Sequence, residues 1–318
     1  MEIISASMKN LIEKASLALT EGHLVAFPTE TVYGLGADAT NEKAIGRIYS
    51  VKARPINHPL IIHISSVNQL GNWAKDIPEY ALKLARVFWP GPMTLILKRS
   101  NLAKDFVTGG QESIGLRVPN HLVARLLISE FEKLGGYGVA APSANRFGAV
   151  SPTTADAVEE ELGKFLQTGD LILNGGPSQI GLESSIIDCT KDKPVVLRPG
   201  AVTTQMIQTT TGYEVPFPQG FGKLRAPGLL ESHYSPKAKV VIGNIADPGD
   251  GFIALESVPS PPGVIRLASP ANIEEYARVF YKALRAGDQK GLLKITVCEP
   301  DGDGLAIAIR DRLSKAIG

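Results

Sequence analysis

The chain has 318 residues, 44% of them hydrophobic and 20% charged, with 33 Lys+Arg set against 32 Asp+Glu. That length leaves room for two domains, and the near-zero net charge argues against a protein whose main task is coating nucleic acid, although a local basic cleft stays open. No stretch approaches the roughly 18 consecutive apolar residues of a membrane span, and the start, MEIISASMKNLIEKA, lacks a basic-then-apolar secretory signal, so a cytoplasmic location is expected.

From the start, helical and strand-like patterns alternate. NLIEKASLALTEG places Leu11, Ile12, Ala15, Ala18 and Leu19 on one helical face, with Gly22 as a stop. HLVAFPTETVYG reads as a strand entering a polar turn. TNEKAIGRIYSV is a second helix, capped by Thr40 or Asn41, with Ala44, Ile45, Ile48 and Val51 facing inward. PLIIHI, MTLILK, IGLRVP, YGVAAPS, LILNGG, SSIIDC and VVLRP are further strand candidates, and helical patterns fall at 79–88, 121–131 and 153–162. This mixture predicts an α/β fold, a large twisted sheet with helices packed on it. A Pro- and Gly-rich stretch without a period follows from Tyr213 to Lys237, a linker whose aromatics and charges suggest more than a spacer. KVVIG, FIAL and VIRLA then give strands, followed by a helix, a strand and a helix, a small open Rossmann-like α/β sheet. Its first helix carries a capping box, Asn272 with Glu275, and an Ile273, Ala277, Phe280, Leu284 stripe. The domains are expected at 1–212 and 238–318, with 213–237 between them.

Cys189 and Cys298 are the only cysteines, each in a strand-like run, and are expected to be buried thiols rather than a disulfide. With no CxxC and no HxxxH, no protein-ligated metal is expected.

Cations gather where polar turns meet strands. In SVKARPINHPLIIHI, Pro55 disfavours helix at Arg54, so Lys52 and Arg54 are expected to lie two apart in an extended segment and to converge as a phosphate clamp. A solvated charge pair is the simpler alternative. His63 shares a strand face with Ile61, while Leu60, Ile62 and Ile64 take the other. FPTETVYGLGADAT sets Thr29, Glu30, Thr31 and Tyr33 at a strand's carboxyl end, where open α/β sheets place ligands. Neither GxGxxG nor a Walker loop is present, so any nucleotide is held without one. In APSANRFGAVSP, Ser143 and Asn145 project together with Ser151 beyond, although such side chains could simply cap a helix near Thr153. Ser113 and Arg117 share a face in ESIGLRVPN, and an Arg inside an apolar strand needs an anion or a buried partner. Ser184, Ser185 and Arg198 add to the set. Together these residues predict a ligand with several phosphates or carboxylates.

The stretches PTETVYGLG, KARPINHPLIIHI, WPGPMTLIL, SIGLRVPNH, APSANRFG, GLESSIID and LRPG closely resemble the Sua5/YrdC family of L-threonylcarbamoyladenylate synthases. The likeness spans residues 3 to about 206, and APGLLESHYSP with the tail resembles the longer Sua5 form. It implies a YrdC-like twisted sheet with a concave basic cavity. It also implies condensation of L-threonine, bicarbonate and ATP to threonylcarbamoyl-AMP and pyrophosphate, a nucleotidyl transfer that feeds tRNA t6A37 modification through other proteins, with Mg2+ accompanying ATP. By resemblance, Lys52 and Arg54 are catalytic. ATP contacts then come from these two with His58, Ser113, Ser143, Asn145, Ser151, Arg198 and the linker residue Tyr234. Threonine meets Thr31, His63, Arg117, Ala141 and Ser184. Tyr234 and its neighbours are expected to cover the cavity mouth as a lid. Ser185 stands where Thr is frequent, and Leu229 where Met often follows PG. An RNA-binding module of the same fold is the rival from another class. A carbamoyl-phosphate enzyme of hydrogenase maturation is another, though the zinc-finger CxxC pairs of such proteins are absent.

Overall fold

A computed structural model describes residues 5–215 and 234–317. In the first part the strands are β1 (Val25–Phe27), β2 (Gly34–Asp38), β3 (Ile61–His63), β4 (Met93–Lys98), β5 (Ser113–Arg117), β6 (Val139–Ala140), β7 (Leu171–Ile172), β8 (Ser185–Asp188) and β9 (Val195–Arg198). They form one mixed sheet in the order β7-β1-β2-β6-β3-β5-β4-β8-β9. Its helices are α1 (Ala6–Thr20), α2 (Glu42–Lys52), α3 (Leu70–Trp73), α4 (Glu79–Phe88), α5 (Asp105–Thr108), α6 (Leu122–Lys133), α7 (Ala155–Leu162) and α8 (Thr204–Thr211). The second part holds β10 (Lys239–Ile242), β11 (Gly251–Ile253), β12 (Ile265–Ala268), α9 (Ile273–Gln289), β13 (Lys294–Val297) and α10 (Leu305–Ile317). Its four strands are all parallel, ordered β10-β13-β11-β12.

Local chemistry explains the element ends. Ser5 and Asn41 accept hydrogen bonds from the backbone N–H groups of Met8 and Ala44, capping α1 and α2. Thr154, one residue beyond the expected position, caps α7 through the N–H of Ala157. Asn272 caps α9, and the Glu275 carboxylate reaches back to the N–H of Ala271. On α1 the inward face takes Ser16, while Leu11 is 44% exposed, a shift of the expected stripe. On α9 Ile273 is only half-buried and Tyr276 and Tyr281 take the inner positions.

One strand was not expected. GLGAD, read as part of a polar turn, is β2, paired antiparallel with β1 and β6. Gly36 makes that possible, because a Cβ there would meet Phe27 Cε1 at 2.8 Å and Val139 Cγ1 at 2.8 Å. The largest apolar cluster fills one side of the sheet under α2 and α4, and α1 and α6 bury Val25, Phe27 and Val139 against a second. A small patch of Ile61, Ile96, Ile186 and Leu197 continues the face of the second cluster farther along the sheet. That face is where the polar residues converge.

Of the expected linker, residues 216–233 lie outside the described residues, so the lid can be placed only at Tyr234. Both cysteines are free thiols, Cys189 buried and Cys298 half-buried. Among the described residues, no helix is long and apolar enough to cross a membrane.

Candidate active site

A cavity lies at the ends of β1, β3, β5, β6 and β9. Its wall includes Thr31, Lys52, Arg54, His63, Arg117, Ala141, Ser143, Asn145, Ser184, Arg198 and Tyr234, eleven of the fourteen residues that the resemblance assigns to ATP or threonine.

Each wall residue has a local cause. After β1 the chain turns on Thr29, whose hydroxyl donates to the carbonyl of Val32 at 2.6 Å and accepts from the N–H groups of Thr31 and Val32. The turn fixes the Thr31 hydroxyl 2.8 Å from that of Thr29. The SAN loop is stitched against it, Leu35 N–H donating to Pro142 and Ala144 N–H to Tyr33.

The expected extended Lys52-Ala53-Arg54 segment is corrected. Lys52 is the last residue of α2, and Ala53 closes the helix in the left-handed region (φ 49°, ψ 41°). Pro55 still does its part, since Arg54 cannot continue the helix. The two cations reach one cavity because the chain reverses between them, not because a strand alternates. The Lys52 ammonium donates to the carbonyl of Ser143 at 2.6 Å and to that of Asn145. Burial, then the neighbouring Arg54 charge, pushes its pKa well down. Of its three N–H donors, two are therefore spent on the SAN loop. Arg54 donates to the Pro59 carbonyl at 2.9 Å and lies over the Phe147 ring, 5.6 Å from its centroid. Its Nε has no hydrogen-bond partner, and burial lowers its pKa to about 10.

On β3, Ile61 and His63 face the cavity, and Leu60, Ile62 and Ile64 join the core, as alternation requires. Burial, reinforced by the Arg117 charge, depresses the His63 pKa to about 3, so the imidazole is neutral at physiological pH. Its Nδ1 has no hydrogen-bond partner. Arg117 finds the buried partner that its position demanded in Glu30, 2.7 Å away. The two are joined as an ion pair, and neither Glu30 oxygen has a hydrogen-bond partner. Arg198 ends β9, donating through Nε to the Ser184 carbonyl at 3.0 Å and through Nη2 to the Ser184 hydroxyl at 3.2 Å. The Tyr234 phenol accepts from Arg198 Nη1 at 3.4 Å, and burial lifts its pKa to about 12.

Three expected residues stand off the wall. His58 packs edge-on to Phe147 with ring centroids 5.3 Å apart. Ser113 begins β5, on the face that Gly115 turns toward Ile61 and Ile96, but at the opposite end from Arg117. Ser151 is fully buried and donates to Glu183 at 2.6 Å.

Sequence reasoning missed Phe147 and Glu183, both on the wall. An acid amid the apolar residues of GLESSIID was the available signal for Glu183. Its partners, Tyr281 on α9 and Arg312 on α10, come from the second domain and gave no local signal.

Four buried cations and a ring of hydroxyls around one cavity at strand ends define an anion-binding α/β protein. A family profile described as "Telomere recombination", grouping Sua5, YciO and YrdC proteins, matches residues 17–200. A second, "Threonylcarbamoyl-AMP synthase, C-terminal domain", matches residues 202–318. The chain is 40% identical to the threonylcarbamoyl-AMP synthase of Pyrococcus abyssi, over 94% of this chain and 92% of that one. With the Bacillus subtilis protein of the same name it shares 36% identity, over 96% and 93%. The crystal structure of P. abyssi Sua5 complexed with L-threonine superposes with a TM-score of 0.87 at 36% identity, covering 99% of this chain and 96% of that one. The chain belongs to the Sua5/YrdC family, in its two-domain form.

Proposed function

We propose that this chain is a threonylcarbamoyl-AMP synthase, joining L-threonine, bicarbonate and ATP and releasing pyrophosphate and water. The convergence of the buried Lys52, Arg54, Arg117 and Arg198 on one cavity carries this reading. The relatives' names and the threonine held by P. abyssi Sua5 support it.

In this proposal threonine lies toward Thr31, His63, Arg117, Ala141 and Ser184. The triphosphate lies toward Lys52, Arg54, Ser143, Asn145, Arg198 and Tyr234, with His58, Ser113 and Ser151 contributing from around the cavity. Threonine's neutral amine adds to CO2 derived from bicarbonate, giving a carbamate. A carbamate oxygen attacks the α-phosphorus, the bond to the bridging oxygen breaks, and pyrophosphate leaves. No enzyme nucleophile is needed. Lys52, Arg54 and Arg198 balance charge spreading over phosphate oxygens, and the fixed wall holds the reactants in line. Mg2+ enters with ATP, carried by phosphates and water. Burial shields the labile carbamate and the mixed anhydride from hydrolysis. The product is handed to the proteins that complete t6A on tRNA.

Pyrophosphate release by the purified chain is the test, with threonine and bicarbonate each omitted in turn. Release is expected only with both present. Release indifferent to threonine overturns the reading, and RNA affinity that falls steeply with salt and needs no threonine would replace it with the binding module.

A further inference from the structure

The second domain meets the cavity wall at Glu183, which both Tyr281 and Arg312 bond. Arg312, on α10, is fully buried and donates to Glu183 Oε2 at 2.9 Å, to the Glu183 carbonyl at 3.2 Å and to the Pro199 carbonyl at 3.0 Å. Those two carbonyls belong to the residues just before Ser184 and just after Arg198. Its guanidinium also lies 5.7 Å from the centre of the Tyr234 ring. Glu183 is a wall carboxylate in a site whose other charges are cationic. Its two oxygens accept from Ser151, from Tyr281 at 2.9 Å and from Arg312. Arg198 lies beside it, bonded to Ser184. No hydrogen bond or ion pair joins Glu183 to Arg198; the carboxylate's ion pair is with Arg312. Among the described residues, Asp311 lies 2.6 Å from Arg312 Nη1 and pairs with Lys315 as well. The approach is close: Gly181 has φ +82°, and a Cβ there would meet the Ala277 carbonyl of α9 at 2.6 Å.

We propose that Arg312 is a positioning residue for the reaction: by neutralising Glu183 it keeps that carboxylate from capturing Arg198, so that Arg198 and Tyr234 stay aimed at the triphosphate. The inference rests on the synthase reading for the identity of the anion. In physical terms, a carboxylate stripped of its counter-ion in a buried site takes a neighbouring cation, and among the described residues the cation that acts on Glu183 after Arg312 is Arg198. The second domain thus completes the ATP half of the site without touching ATP.

The test is a double-mutant cycle on the full-length chain: wild type, Glu183→Gln, Arg312→Gln and both together. ATP affinity is measured by titration without threonine, alongside KM for ATP and for threonine and the melting temperature. Arg312→Gln is expected to weaken ATP about tenfold or more while KM for threonine stays within about twofold. Once Glu183 is already Gln, the same Arg312→Gln change is expected to alter ATP affinity by less than about threefold, since no stray carboxylate is left to compete. An ATP loss that persists undiminished in the Glu183→Gln background overturns the inference, as does an equal rise in both KM values. Should Arg312→Gln alone fail to fold, the Glu183→Gln arm still decides, and Arg312→Lys, which keeps the charge, is expected to retain ATP affinity within about threefold of wild type. Absence of threonine-dependent turnover in the wild type refutes the synthase reading instead, and the titration then still reads the effect of Arg312.

Discussion

Replacing Lys52 by Met keeps the length of the stem and removes the ammonium. In the folded chain Lys52 is 1% exposed and its ammonium is bonded to two carbonyls of the SAN loop. Losing it leaves two buried acceptors, each costing about 1–3 kcal/mol if nothing replaces the donor. Against this, a desolvated cation disappears whose charged form burial already disfavours. The two effects largely cancel, and a net loss of about 1–2 kcal/mol lowers the melting temperature by only about 2–8 °C. Catalysis has no such offset. A preorganised donor aimed at developing charge in a water-excluded site is worth about 2.7–4 kcal/mol, a factor of about 10²–10³ in rate. Lys52→Met is therefore expected to fold, melt slightly early and lose at least a hundredfold in threonine-dependent pyrophosphate release, roughly the lower limit of that range. Turnover within about threefold of wild type would remove the triphosphate from this cavity.

Acid stability should report on Glu183. Arginine charges, Arg312 before Arg198, overcome the upward push of burial and hold its pKa at about 2 against 4.5 unfolded. A depressed carboxylate pKa stabilises above the unfolded value, so about 3 kcal/mol present above pH 4.5 is lost as pH falls toward 2, and Glu183→Gln flattens that limb in urea melts taken across pH. An unchanged limb contradicts the pairing. His63 acts at milder pH: the unfolded chain takes up its proton near 6.5 and the folded one only near 3, so stability declines as pH drops through that window. His63→Asn is expected to reduce the decline between pH 6 and 4, and the same melts measure it. Gly181→Ala forces a side chain into the α9 backbone at a positive φ and is expected to cost about 1–3 kcal/mol in thermal melts. An unchanged melting temperature contradicts that contact.

Much of the site was legible in order along the chain. Every second residue of PLIIHI and IGLRVP faces as strand alternation requires, so His63 and Arg117 could be assigned to a side before any fold was known. Hydroxyls after β1 and in the SAN loop betrayed themselves as polar groups at strand ends. Lys52 and Arg54 were found for a partly wrong reason, since alternation was assumed where a helix ends and reverses at Ala53. β2 escaped because its glycines resemble a turn, and only the approach of Phe27 and Val139 turns Gly36 into a strand residue.

The sequence by itself determined the α/β class, the two apolar-patterned regions and the polar residue types that gather at strand ends, because periodicity and composition are local properties. Only the tertiary structure decided which of them meet. Glu30 answers Arg117, and Glu183 answers Arg312 across 129 residues of chain. A buried charge must find its counter-ion in space, and no local pattern records where that partner lies.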